Sequence, residues 1–371
     1  MRRMWIVVLV AVLVIGLVGY GVVRHFTSTA YIEKSLNTTL ASGKGVNRIK
    51  IGSSTVSLLG GTFSARDFEF VPDTTLVAQR VKDGKPVRTK NSIIISSLHI
   101  DGLRVWPLLH RKIVINSISL DGGRFDIATV RKPGPKAAPN PNPKPATLPQ
   151  TSFQALGMPV RINMIRMTNS IMAYSETARD GARPGVIRFS DMDMKISNVT
   201  NDSALMKAGT PCTIHVSTLL NEAGRLDATF GYDLLSPKLN MTCRGTVSRM
   251  KAEPMNELLE NLNGIKITSG VVDSCQFDFK IDGDDVARGT VEVSYHDLDI
   301  QMEDKVTLDQ DLMARLKTFV NDKAKMHSRN PPDEEKPATV APVARERTAQ
   351  TPLIKFLWET LREGILTTLG V

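Results

Sequence analysis

The side chains able to do chemistry in this 371-residue chain are few and dispersed. The six histidines stand at 25, 99, 110, 215, 296 and 327, each without a second ligand at metal spacing. Cys212, Cys243 and Cys275 lie too far apart for a zinc site, which needs close pairs, and their odd number leaves at least one thiol free. One disulfide among them is open in an oxidising compartment, with no pairing favoured. Asp191 and Asp193 could suggest metal ligands, but in a strand that spacing gives a solvated acidic face. Asp282, Asp284 and Asp285 around Gly283 lack EF-hand spacing and read as a tight turn. No G-x-S-x-G, phosphate-cradling glycine loop or HExxH occurs. The expectation is a chain without catalysis, metal or cofactor.

The elements that could position a binding function are clearer. Met4 to Val23 carries no charge and is long enough to cross about 30 Å of hydrocarbon as a helix. Arg2 and Arg3 precede it, and Trp5 and Tyr20 sit where interfacial aromatics belong. Residues 1–26 thus read as a single-pass anchor with a cytoplasmic N-terminus. A cleaved signal peptide competes, but the apolar run is long and no A-x-A site follows. Tyr31, Ile32, Leu36 and Leu40 then mark one face of a short helix capping the sheet.

From Asn47 the hydrophobic period becomes two. A unit of apolar alternation around a DG-type turn recurs, at Leu98–Val105 and Ile118–Ile127, and more loosely at Ile165–Ile171 and Ile265–Val271. These are read as hairpins. Residues 131–149 contain seven prolines and four positive charges, hence an extended solvated loop. The net charge of +9 is scattered, with no basic helix and no aromatic stacking motif. That excludes nucleic acid as the expected partner and suits an anionic membrane surface.

The stretch from Gly245 to Gln301 is the most explicit. Met255, Leu258, Leu259 and Leu262 recur at helical spacing between Pro254, placed as a first helical residue, and Gly264, placed as a left-handed stop. Three alternating segments follow, with Ser269-Gly270 and Asp282–Asp285 read as turns. Beyond it, Thr307 and Gln310 have capping-box spacing before an amphipathic helix at 303–322. Residues 323–351 are charged and Pro-rich, hence read as a disordered linker. Residues 352–371 carry a stripe of Leu353, Leu357, Leu361 and Ile365. That helix suits docking on its own protein, a partner or a membrane.

The order of Asn256–Leu259, Ile265–Gly270 and Gly289–Ile300 resembles the C-terminal end of AsmA-like proteins, over roughly 60 residues. These belong with the TamB-related, repeating β-groove proteins anchored in the inner membrane and facing the periplasm. The resemblance implies a mainly β fold over residues 27–302: an elongated, curved antiparallel sheet with a few short helices. It implies a role in binding or moving phospholipids for outer-membrane lipid homeostasis. Ile118, Leu120, Phe125, Ile127, Ile165, Met167, Ile265 and Ile267 would then line the groove. About fifteen strands would make it roughly 70 Å long, too short to bridge two membranes alone. The rival is a closed, dry β sandwich acting as an assembly factor through envelope protein partners. A third reading is an envelope-polymer binder working through the Lys/Pro loop.

Overall fold

The computed structural model describes residues 28–42, 46–57, 60–85, 87, 89–130, 145–177, 182–205, 211–302, 328–331, 333 and 335–370. The expected span at Met4–Val23, most of the Pro/Lys loop and the expected helix at 303–322 lie outside them. Among the described residues no helix is long and apolar enough to cross a membrane.

The described residues are mainly β, 56% strand and 21% helix, in one large open, curved, mixed sheet of 13 strands. The strands are β1 (Asn47–Ser57), β2 (Thr62–Pro72), β3 (Thr89–Asp101), β4 (Ile113–Val130), β5 (Val160–Thr177), β6 (Gly185–Thr200) and β7 (Cys212–Leu220). Then come β8 (Gly224–Tyr232), β9 (Asn240–Val247), β10 (Met250–Lys251), β11 (Ile265–Asp282), β12 (Val286–Met302) and β13 (Val340–Glu346). The helices are α1 (Thr29–Ser42), α2 (Thr74–Lys82), α3 (Val105–Leu109), α4 (Pro149–Gln154), α5 (Asn256–Asn263) and α6 (Leu353–Thr368). Strands pair in chain order, except that β9 pairs directly with β11 and the short β10 lies off the path.

One junction departs from the expected antiparallel pattern: β4 and β5 are parallel. A parallel neighbour requires the chain to return to the strand's starting end before the next strand begins. The connection from residue 131 to residue 159 makes that return. Its 29 residues are long enough to run back along an 18-residue strand.

The recurring DG-type units are not all hairpins. Asp101-Gly102 does turn the chain out of β3, but Asp121-Gly122, Thr168-Asn169 and Ser269-Gly270 lie inside single strands of 18 residues. Gly122 and Asn169 have φ of 64° and 50°, as do Asp67, Asp191, Asn198 and Asp297 at 52°, 47°, 59° and 52°. Each is a local left-handed kink that adds one residue to the alternation. The apolar side chains therefore step by two, then by three across the kink, then by two again. In β2 the sequence is Phe63, Ala65, then Phe68, Phe70; in β6 it is Phe189, then Met192, Met194. Asp, Asn and Gly occupy these positions because they tolerate positive φ with least strain. Asp121 also accepts from Thr168 Oγ1 and Asn169 Nδ2, at 2.8 and 2.7 Å, which ties the kinks of β4 and β5 together.

A helix covers one edge of the sheet. Along β1, α1 presents Thr29, Glu33 and Asn37, four residues apart, to backbone groups that have no strand neighbour. Asn37 accepts from the Ile49 N–H at 2.7 Å and donates to its carbonyl at 2.8 Å. Glu33 accepts from Ile51 N–H and Thr29 from Ser54 N–H, each at 3.0 Å. Ile32 and Leu36, from the stripe expected there, are buried. At the other edge β13 pairs with β12. This corrects the disordered linker expected across 323–351: Ala341 and Val343 alternate inward and are buried, and Pro342 is tolerated because an edge strand needs fewer donors. Helix α6 docks on its own protein. Phe356 is fully buried, and Gly364 lies so close to Val291 and Val343 that a Cβ there would meet Val291 at 2.4 Å.

Two helices close the ends. At one, α5 ends on Gly264 with φ 66°, as its sequence implies, and Arg188 of β6 pairs with Glu257. At the other, Tyr232 donates to Gln150 of α4, and Asn201 donates to the carbonyl of Phe153 at 3.1 Å.

Two stability effects follow. Asn37→Ala removes both side-chain bonds to Ile49 and should cost roughly 1–3 kcal/mol in urea unfolding. Gly122→Val, forced to φ 64° with its Cβ 2.7 Å from Ser96 Oγ, should cost about 1–3 kcal/mol, and Gly122→Asn clearly less.

Candidate functional site

Because the kinks keep the alternation in phase, directly paired residues form unbroken rows across the sheet. One row reads Val56, Phe63, Ile100, Ile118, Ile165, Ile196, Ile214, Phe230, Cys243, Phe279, Gly289 and Val343. The neighbouring row reads Ala65, Leu98, Leu120, Met167, Met194, Val216, Ala228, Gly245, Phe277, Val291 and Ala341. Neither contains a polar side chain. Twelve strands at about 4.8 Å make the longer row roughly 53 Å from end to end.

Covering differs along the rows. The flanks are dry: Ile100 and Ile118 are buried beside Ile113, Ile115 and Ile162, and α6 lies on Val291 and Val343. In the middle, Met167, Met172, Met194, Ile196, Ile214, Val216 and Phe230 are only half-buried. Methionine is prominent there, and its flexible thioether adapts to irregular apolar neighbours.

Six of the eight expected groove residues come together. Ile118 pairs with Ile165 and Leu120 with Met167, and Phe125 and Ile127 continue the same face of β4 beyond the Gly122 kink. All but Ile127 and Met167 are buried. Ile265 and Ile267 are buried too, but they start β11, where Asn256 of α5 donates to the Ile267 carbonyl at 2.8 Å. They pack beside that helix, away from the β4–β5 set. The alternation of β6, β7 and β8 carries Met194, Ile196, Ile214, Val216 and Phe230, which the sequence reading passed over as candidates. Their signal was the same period of two.

The opposite face is polar. Arg166, Lys195, His215, Thr229, Arg244, Asp278 and Thr290 pair across it in one row. Asp193, Ser217, Asp227, Thr246, Gln276 and Glu292 form the next. A shallow cavity of about 690 Å³ follows these two rows. Its lining from β12 and β13 is Thr290, Glu292 and Val340, not the buried Val291 and Ala341, which places its opening on the polar side. A twisted sheet is saddle-shaped, so both faces are concave along one direction. That accounts for a hollow between the two polar rows, whose floor also includes Met167, Met194, Val216, Ala228 and Phe277.

The potentially reactive side chains are held in structural contacts. His99 bonds Ser64 at 2.8 Å and His215 bonds Thr229 at 3.0 Å, both across strands. His296 bonds Asp273 at 2.7 Å, and Arg249 lies 3.6 Å from the same carboxylate. Around Gly283 each acid has its own cation: Lys280 with Asp282, Arg288 with Asp284, and Arg347 with Asp285. Asp191 pairs with Arg225. Among the described residues no group of three or more His, Cys, Asp or Glu converges as metal ligands.

No protein-family model matches the chain, and no curated protein matches it.

The three cysteines are free and buried. Burial pushes the thiols of Cys212 and Cys243 up to about 12 and that of Cys275 to about 11, by disfavouring the thiolate. The native protein should therefore resist a thiolate-specific disulfide reagent at pH 8, and all three cysteines should react once it is unfolded. Rapid labelling of the folded chain would contradict this placement.

Proposed function

We propose that this chain is a non-enzymatic envelope protein whose sheet holds phospholipid acyl chains along its apolar rows. The observation that carries the reading is the stretch from β5 to β8. There the rows run without a polar interruption, yet Met167, Met194, Ile196, Ile214, Val216 and Phe230 are only half-buried, and among the described residues no helix is laid over them. Apolar surface left in that condition favours an apolar occupant, and each buried methylene is worth about 0.8 kcal/mol. An acyl chain is long, flexible and without hydrogen-bonding demands, so it suits a trough lined by Met167, Met172, Met194, Ile196 and Val216.

Three further features support the same reading. The uncharged run from Met4 to Val23 suits a single-pass inner-membrane anchor with the remaining chain in the periplasm. The excess of basic residues suits an anionic lipid environment. The AsmA-like pattern at Asn256–Leu259, Ile265–Gly270 and Gly289–Ile300 points to relatives that handle phospholipids. At roughly 53 Å the sheet suits lipid handling beside one membrane, alone or with envelope protein partners, better than bridging two. The dry end around Ile113, Ile115, Ile162 and α4 favours the rival reading, a closed sandwich acting through protein contacts.

Native mass spectrometry of the full chain separates the two. Co-purified phospholipid should be present in the parent protein and lost in Met194→Asp and, separately, in Val216→Asp, each at a half-buried position and each checked by circular dichroism to be folded; the two are not combined because they pair directly and their carboxylates would repel. A folded parent protein free of lipid would move the assignment to the dry sandwich.

A further inference from the structure

The connection between β3 and β4 buries Leu103 but puts two other large apolar side chains into water. Helix α3 is one short turn, and on it Trp106 is 73% exposed and Leu109 53% exposed. The turn is firmly built rather than loose. Gly102, at φ 68°, lies so close to Asn116 that a Cβ would meet it at 2.5 Å. Leu103 N–H donates to the Gly61 carbonyl at 2.8 Å, and Arg104 N–H to the Val114 carbonyl at 3.0 Å. The His110 ring sits 4.9 Å from the Trp106 ring and bonds the Trp106 carbonyl at 2.9 Å. Exposed Arg104, Arg111 and Lys112 flank the turn, and Asp101, the nearest acid in sequence, lies 3.4 Å from the Asn116 amide.

The placement of this turn matters as much as its composition. Helix α1 runs antiparallel to β1, so its start, Thr29, lies beside Ser54 near the end of that strand, with the two hydroxyls 3.0 Å apart. That end of the sheet is the one from which α3 projects, since the β1–β2 turn bonds Leu103 through Gly61. β1 and β3 are two strand positions apart, about 10 Å. The uncharged run Met4–Val23 stops five residues before Ser28, and five residues reach at most about 18 Å. Any bilayer holding that run must therefore lie close to the end of the sheet that carries Trp106.

We propose that α3 is a membrane-surface foot: Trp106 and Leu109 insert into the interface of an anionic bilayer while Arg104, Arg111 and Lys112 engage lipid phosphates. Tryptophan favours that interface, where its ring is half in hydrocarbon and its N–H stays hydrated. Each basic residue close to an anionic surface adds to the attraction. A second attachment beside the anchor would fix the tilt of the sheet and set one mouth of the apolar rows against the lipid. The proposal uses the anchor but does not depend on acyl-chain binding by the sheet.

The test uses the full chain reconstituted in vesicles of phosphatidylcholine with phosphatidylglycerol. The native cysteines are buried, so a polarity-sensitive fluorophore can be attached selectively to Leu109→Cys, and in a reference variant to Leu76→Cys, which lies in the exposed α2 at the other end of the sheet. The probe at 109 should emit to the blue of the probe at 76 and be quenched several-fold more strongly by nitroxide-bearing lipid. Adding Trp106→Asp, or Arg111→Glu with Lys112→Glu, should return it towards the reference. Equal quenching at 109 and 76 would overturn the proposal, as would quenching at 109 that survives both sets of changes. Lipid co-purification with the sheet is read separately, so failure of one reading leaves the other standing.

Discussion

The whole molecule rests on keeping the alternation of side chains in phase along unusually long strands. A period of two is unforgiving: one slipped residue turns every later side chain to the other face. Strands usually run five or six residues, whereas β4, β5 and β11 each run 18. Strands of that length in a twisted sheet need local release, and the left-handed kinks at Asp67, Gly122, Asn169, Asp191, Asn198 and Asp297 supply it. Each adds a residue, and in each the apolar spacing lengthens from two to three at the same point. Kink and spacing compensate, so Leu120 and Phe125 share a face although simple alternation would put them on opposite ones.

That compensation also explains what the sequence discloses and what it hides. Alternation made the sheet legible, and Gly264 made the end of α5 legible, because capping chemistry is local; Pro254 lies in the 3-10 turn Glu253–Met255 that precedes the helix. The Asp-Gly and Thr-Asn pairs were misread as hairpins for a physical reason: a left-handed residue is needed equally in a tight turn and in a bulge. Only the three-residue step in the apolar pattern, Leu120 to Gly123 or Met167 to Ser170, separates the two. The parallel junction of β4 and β5 left no mark in either strand, since alternation carries no direction. Its trace was the length of the Pro/Lys connection. β13 was hidden because Pro342 and the charges of Arg345 and Glu346 resemble linker composition, although an edge strand accepts all three.

The edges show a related economy of means. Open backbone along β1 would invite another strand, and a helix cannot ordinarily satisfy a strand's hydrogen bonds. Here α1 does so with side chains, because residues four apart on a helix rise about 6 Å, close to the two-residue repeat of a strand. Thr29, Glu33 and Asn37 thus meet Ser54, Ile51 and Ile49 almost in step. Asn256 does the same for Ile267, in both directions, at the start of β11. At the far edge α6 lies on the apolar face, and the buried Arg347 ties its approach to Asp285 in the β11–β12 turn.

With its β1 edge satisfied and its ends plugged, the sheet keeps, among the described residues, an unsettled region in the middle of its apolar face. The hollow behind it is flanked by charged and polar side chains such as Arg166, Lys195, Arg244 and Asp278, which water solvates without penalty. The half-buried side chains Met167, Met194, Val216, Ile196, Ile214 and Phe230 of the two rows have no such recourse. Closing this region internally would take either another helix, absent from this face among the described residues, or tighter curvature, which the strands' twist and their long rows resist. An occupant without hydrogen-bonding groups resolves the conflict without altering the fold. For that reason the functional reading is anchored in β5 to β8 rather than in the fully buried isoleucines of β4.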